Sequence, residues 1–208
     1  MARGLPAVLG REHRPARGPP ATPAGGRDQG KQARRQPLIH RRVRHARYRL
    51  RDPHRHAAGQ PLVVVDRVVD APRALVFRMY ADPAQLVRFW GPHGSTTRIS
   101  EFDFRPGGLW RMVITFPGGF DVPMTSRFVE IAEPSRIVFR DVPPDPASGM
   151  PHHEMLVSID FSENDGRTRI LVQVTFASVE TRDAAVANGF VRPIAESMER
   201  LEALVAAR

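Results

Sequence analysis

The order of apolar and polar positions predicts a strand and two short helices where the folded part of the chain begins. Residues 62–69 form an apolar, mostly β-branched run, which is typical of a buried strand. Apolar side chains recur at helical spacing through residues 74–80, and Pro72 stands where the first turn of a helix accepts a proline. Asp82 then predicts the cap of a second short helix, which ends before Gly91.

The middle of the chain changes to short alternating runs that predict six antiparallel strands. Turns rich in glycine and proline separate these runs, and Asn164, Asp165 and Gly166 form a hairpin signal before the last one. The predicted strands cover residues 95–104, 109–116, 122–131, 137–141, 155–161 and 168–176. Together with the first strand they make a sheet of about seven strands.

One long amphipathic helix is predicted after the last strand. Thr181 is a candidate cap, and apolar residues then fall on one helical face as far as Val205. Pro193 is expected to kink this helix. A curved sheet cannot bury its whole concave face against one straight helix, so this α+β arrangement predicts a cavity between the sheet and the helix.

Several local motifs accompany this order of elements. Residues 70–77 contain the stretch DAP followed by VF, and residues 89–92 read FWGP. Residues 103–111 read DFRPGGLWR, and residues 130–139 read EIAEPSRIVF. The stretch TRI at residues 168–170 completes the set.

Together these motifs resemble the SRPBCC, or START-like, superfamily, and within it the family named for homologues of the activator of the heat-shock protein 90 ATPase. The resemblance covers residues 62–206. It implies the helix-grip fold, in which a curved antiparallel sheet of about seven strands wraps around a long C-terminal helix, with two short helices after the first strand. It implies a ligand cavity and no particular reaction, because members share a fold and not a chemistry.

The charge is divided sharply along the chain. Residues 1–60 hold 15 Arg or Lys and 3 Asp or Glu, a net charge of +12, whereas residues 61–208 hold 16 and 19, a net charge of −3. The first segment is poor in apolar side chains, so we predict a disordered basic extension there and a START-like domain in residues 61–208. A start assigned too far upstream and a basic arm for nucleic acid are the alternatives for the extension. The mildly acidic domain is not expected to bind nucleic acid.

Composition and motifs exclude several chemistries. The chain has no cysteine, which excludes disulfides and thiolate nucleophiles. It has no apolar run long enough to span a membrane and no apolar leader, so a cytoplasmic protein is expected. No phosphate-binding loop, dinucleotide fingerprint, nucleophile elbow or zinc-protease motif is present, and we predict no cofactor, no metal centre and no assigned catalytic residue.

We therefore predict that the domain binds an apolar small molecule between the sheet and the last helix. The predicted ligand-binding residues are large or apolar side chains on the expected inner faces, together with two histidines: Trp90, His93, Phe104, Trp110, Met112, Ile114, Met124, His153, Met155, Phe190 and Ile194. His93 and His153 leave open an acid–base enzyme of cyclase or hydrolase type that acts on a hydrophobic substrate. The resemblance leaves open a second function, that of a protein-interaction module that stimulates a heat-shock chaperone. The oligomeric state is also left open, and a homodimer is one alternative.

Some of these side chains have simpler interpretations. His93 can be an ordinary loop histidine, and the two tryptophans, Trp90 and Trp110, can serve as core or as cavity wall. Asp103 and Arg105 alternate with Phe104 on one strand, so they are predicted to form a surface ion pair.

Overall fold

A single antiparallel sheet dominates the computed structural model, which describes residues 59–143 and 154–207. Its strands are β1 (Leu62–Val69), β2 (Thr96–Phe102), β3 (Leu109–Thr115), β4 (Asp121–Ala132), β5 (Arg136–Asp141), β6 (Met155–Asn164) and β7 (Arg167–Phe176). They pair in the order β1-β7-β6-β5-β4-β3-β2, and every neighbouring pair is antiparallel. The predicted seven-stranded sheet is confirmed.

Helices precede and follow the run of six strands. They are α1 (Arg73–Ala81), α2 (Pro83–Leu86), α3 (Val179–Ala187) and α4 (Val191–Ala206). Asp82 caps α2 as predicted, since its carboxylate accepts a hydrogen bond from the Ala84 N–H at 2.9 Å. The order of helices and strands confirms the α+β helix-grip class.

The expectation of one unbroken C-terminal helix was wrong. Gly189 has a φ of +81°, a left-handed conformation that separates α3 from α4. Pro193 lies in the first turn of α4, where no intrahelical hydrogen bond is lost, so this proline helps to begin a helix instead of kinking one. The cap of α3 is Ser178, whose hydroxyl accepts the Thr181 N–H at 3.2 Å, so the expectation that Thr181 is the cap was also wrong.

The C-terminal half of α4 seals the core. Met198, Leu201 and Val205 are 2, 0 and 7% exposed, and they share one helical face. Ile194 and Phe190, about one and two turns before Met198, are only partly buried. The helix is therefore packed tightly at one end and loosely at the other.

A two-glycine turn joins β2 to β3. Gly107 has a φ of +85°, and its N–H donates to the Phe128 carbonyl at 2.8 Å. A Cβ on Gly108 would lie only 2.0 Å from the Asp103 carbonyl oxygen, so this position has room for no side chain. Asp103 itself pairs with Arg105 at 2.9 Å on the surface, which is the ion pair that the sequence predicted.

Two sequence-based predictions lie outside the described residues. One is the basic extension, of which only the last two residues are described, and the other is His153. Among the described helices, none is both long and apolar enough to cross a membrane.

We predict that Gly108→Ala destabilises the protein far more than Gly107→Ala. The first variant drives a methyl group into a backbone carbonyl that cannot swing aside. The second meets no atom within 4 Å and adds only the cost of a left-handed residue other than glycine, about 1–2 kcal/mol. Thermal unfolding of the two variants measures the difference, and equal losses would contradict the proposed packing of this turn.

Candidate ligand-binding cavity

A cavity of about 470 Å³ lies between the sheet and α4. Its lining is almost wholly apolar and comes from α1, the segment after α2, strands β3 to β7 and α4. The lining residues are Tyr80, Phe89, Trp90, Gly91, Pro92, Ile114, Phe116, Val122, Pro123, Met124, Thr125, Phe139, Asp141, Val142, Met155, Val157, Ile159, Val172, Val174, Phe190, Pro193, Ile194, Ser197 and Met198. Cavities of this size and polarity are typical of sites for small apolar ligands.

The structure brings more than half of the predicted ligand-binding residues together around this space. They are Trp90, Ile114, Met124, Met155, Phe190 and Ile194. Met124 reaches the cavity from β4, and Ile194 reaches it from α4. Their roles in binding stay predictions, since their position alone shows a wall and no ligand.

Three other predicted residues belong to the packed core beside the cavity. Trp110 and Met112 are 3 and 2% exposed, and neither they nor Phe104 line the cavity. The ring of Trp110 stacks on Phe128 at 5.9 Å and meets Trp90 edge to face at 4.7 Å. Strand alternation placed these residues on the inner face, but an aromatic cluster fills that part of the concave surface, so Trp90 is the wall and Trp110 lies behind it.

Gly91 is the spacer between α4 and the sheet. On one side its N–H donates to the Ser197 hydroxyl at 2.9 Å, and the same hydroxyl donates to the Gly91 carbonyl at 3.1 Å. On the other side a Cβ would lie 2.6 Å from the hydroxyl oxygen of Ser95 and 3.3 Å from a methyl group of Ile114. The middle of α4 therefore rests on loop backbone, and the loop rests on β3.

Arg200 fixes the same loop from the helix. Its guanidinium donates to the carbonyls of Gly91 and Pro92, each at 3.0 Å, and to the Arg88 carbonyl at 3.0 Å. Burial lowers the pKa of this guanidinium from its ordinary value, but an arginine stays charged at neutral pH.

His93 lies on the outer surface of this loop and does not line the cavity. Its side chain is 55% exposed, and its Nε2 is 2.9 Å from a carboxylate oxygen of Glu199. Its backbone N–H donates to Glu196 at 2.9 Å. The pKa of Glu196 is lowered by the hydrogen bond from Arg192 and then by that N–H, so the carboxylate is stabilised in its charged form. His93 thus helps to tie the loop to α4, which fits the simpler interpretation of a loop histidine.

Four side chains with hydroxyl or carboxylate groups interrupt the apolar lining, namely Tyr80, Thr125, Asp141 and Ser197. Asp141 follows Phe139 on the same face of β5, and it accepts a hydrogen bond from the Ser126 hydroxyl at 3.1 Å. Among the described residues it is the one charged side chain of the lining. Tyr80, on α1, is only 6% exposed, and burial raises the pKa of its phenol well above the ordinary value.

Sequence reasoning missed Tyr80, Phe139 and Asp141 as lining residues. For the two residues of β5 a signal was available, because they alternate with Ile137 along a predicted strand and so share its inward face. Tyr80 fell on the apolar face of α1, but helical spacing could not show that α1 closes one end of the sheet.

Comparison with known proteins gives both a family match and a set of similar folds. The family model described as activator of Hsp90 ATPase homolog 1-like protein matches residues 70–206. The crystal structure of protein Ms6760 from Mycobacterium smegmatis is 26% identical, with a TM-score of 0.64, and the match covers 71% of this chain and 92% of that chain. None of the curated proteins searched is a match.

Two further solved structures show the same fold at lower identity. The solution structure of a protein from Arthrobacter aurescens is 24% identical, with a TM-score of 0.66, and the match covers 72% of this chain and 88% of that chain. The crystal structure of protein SPO3351 from Silicibacter pomeroyi is 19% identical, with a TM-score of 0.57, and the match covers 70% of this chain and 98% of that chain.

The curved sheet, the gripping helix and the cavity between them define a START-like domain. Because the family model spans well over half of the chain, this protein belongs to the family of activator of Hsp90 ATPase homolog 1-like proteins. The resemblance inferred from the sequence motifs is confirmed.

We predict that Ile194→Ala costs much less stability than Leu201→Ala, although both remove aliphatic groups from one face of α4. Leu201 is fully enclosed, so its truncation should cost about 2–5 kcal/mol. Ile194 borders an existing void and has fewer partner atoms to lose. Chemical denaturation of the two variants gives the two free energies of unfolding, and equal values would mean that the space beside Ile194 is filled.

Proposed function

We propose that this protein binds an apolar small molecule in the cavity between the sheet and α4. The observation that carries the proposal is the apolar cavity itself, about 470 Å³ between the sheet and α4. An unfilled apolar space of this kind costs stability in a protein that binds nothing, because its lining atoms lack packing partners.

The arrangement of α4 supports this proposal. Three layers, namely helix, loop backbone and strand, are hydrogen-bonded or closely packed at Gly91, and this stack leaves a gap beside it. Ser197 bonds to the loop at Gly91 and to the Pro193 carbonyl within α4, and Arg200 bonds to loop carbonyls. Their hydrogen-bonding groups therefore stabilise the wall of the cavity and are already occupied. A rigid wall around an open apolar space suits reversible binding.

A chaperone-directed role is suggested by the family's description and is the rival to ligand binding. A docking module would be expected to expose a contiguous apolar patch. The large apolar side chains exposed among the described residues are Val68, Phe120, Val129 and Leu156. Three of them lie on β1, β4 and β6, no two of which are neighbours in the sheet, and Phe120 lies in the β3–β4 turn. This scatter favours the cavity as the functional site.

An enzyme acting on a hydrophobic substrate is the other rival. Its proposed acid–base group His93 lies outside the cavity lining, and His153 is outside the described residues. The proposal therefore assigns binding and no reaction. We place this role in the bacterial cytoplasm as part of the same proposal, on the support that the similar solved structures come from bacteria.

We predict that the full chain binds N-phenyl-1-naphthylamine, a neutral dye that fluoresces strongly in apolar surroundings, and that Ile194→Trp blocks this binding. The added indole should occupy the space beside Met124 that the dye needs. Leu156→Trp is the matched control, because it places the same group on a side chain that is 43% exposed on β6. Fluorescence titrations of the three proteins measure the dissociation constants.

A second readout uses the ligand that the cell supplies. Native mass spectrometry of freshly purified protein should show a bound small molecule on the wild type and on Leu156→Trp but not on Ile194→Trp. Thermal melts confirm that all three are folded. Dye binding that is equal in both tryptophan variants would place the site elsewhere and overturn the proposal.

A further inference from the structure

The phenol of Tyr80 is a polar group on the cavity wall, and its hydroxyl makes no hydrogen bond to a described residue. The side chain is 6% exposed and lines the cavity. Its ring packs edge to face against Phe89 at 5.0 Å, Phe161 at 5.2 Å and Trp90 at 6.4 Å. Burial alone accounts for the rise in its pKa, and no hydrogen bond from a described residue contributes.

This situation differs from that of the other buried hydroxyls nearby. Thr168 donates to the Ala71 carbonyl at 2.6 Å, and Thr97 donates to the Trp90 carbonyl at 2.6 Å. A hydroxyl that faces an apolar cavity without such a bond is left to pair with whatever polar group enters the cavity. A phenylalanine would pack equally well at position 80, and the hydroxyl is therefore the part that needs an explanation.

The charge of the cavity lining limits the charge that a ligand can carry. Asp141 is the charged side chain of the described lining, and it lies on the inner face of β5. Arg200 is turned away to the carbonyls of the spacer loop. Among the described lining residues, a ligand carboxylate would meet no lysine or arginine and would have an aspartate beside it.

We propose that the ligand is an uncharged apolar molecule that carries one hydroxyl or carbonyl oxygen, and that this oxygen hydrogen-bonds to the phenol of Tyr80. The proposal rests on the proposed binding function and narrows its ligand class. The phenol O–H can donate to either kind of oxygen, so the anchor does not distinguish an alcohol from a ketone. Asp141 excludes the carboxylates that share the same apolar body.

A series of naphthalenes with one apolar body tests the anchor. Naphthalene has no oxygen, 2-acetylnaphthalene has a carbonyl, and 2-naphthoate has a carboxylate. Each competes with N-phenyl-1-naphthylamine on the full chain. We expect the ketone to bind roughly fivefold more tightly than naphthalene, which is what one net hydrogen bond supplies, and we expect naphthoate to bind more weakly than naphthalene.

Two test variants and one control connect the order of naphthalene affinities to Tyr80 and Asp141. Tyr80→Phe removes only the hydroxyl, so it should abolish the advantage of the ketone without lowering the thermal unfolding temperature, because no protein hydrogen bond is lost. Thr168→Val is the matched control: it removes a partnered buried hydroxyl away from the cavity, so it should lower the unfolding temperature and leave the ketone's advantage unchanged. Asp141→Asn should improve naphthoate binding about tenfold.

The outcomes separate this proposal from the function on which it rests. If the dye does not bind the wild type, the binding function fails. If the dye and naphthalene bind but the ketone has no advantage, or keeps it in Tyr80→Phe, the binding function stands and the Tyr80 anchor is overturned. A marked loss of stability in Tyr80→Phe would also overturn it, because the hydroxyl would then serve the fold.

Discussion

Gly91 carries the contact on which the rest of the cavity depends. Its backbone is bonded to Ser197 on α4, and its Cα side is pressed against Ser95 and Ile114. A side chain here would have to move these neighbours, and the φ of +105° is one that glycine adopts at little cost. The backbone of the loop at Gly91 therefore sets the distance between α4 and the sheet. It separates the middle of α4 from the sheet while the C-terminal half of the helix stays packed.

The two ends of α4 consequently do different things. Met198, Leu201 and Val205 supply the enclosed apolar contacts that hold the helix on the sheet. Phe190 and Ile194 line the cavity instead, and the left-handed conformation of Gly189 separates α3 from α4 just before them. Stability and binding are thus assigned to different turns of one helix, which allows the wall of a cavity to exist without loss of the fold.

The sequence predicted most of the fold because strand alternation, turn residues and helical spacing are local signals. It did not predict that α3 and α4 are separate, since Pro193 was interpreted as a kink in one helix and Gly189 was not identified as a helix end. For the cavity, alternation identified inward faces but could not say which inward side chains meet each other. Trp110 and Met112 face inward yet are buried behind Trp90, a result that depends on how the aromatic rings pack in three dimensions.

The most direct test of the central claim locates a bound ligand by nuclear magnetic resonance. With methyl-labelled full-length protein saturated with N-phenyl-1-naphthylamine, nuclear Overhauser effects should connect the dye to the methyl groups of Ile194, Met124 and Met155, which line the cavity. No effect should reach Leu201, which is sealed in the core. Contacts only to surface methyl groups such as those of Leu156, with none to Ile194, would contradict the account.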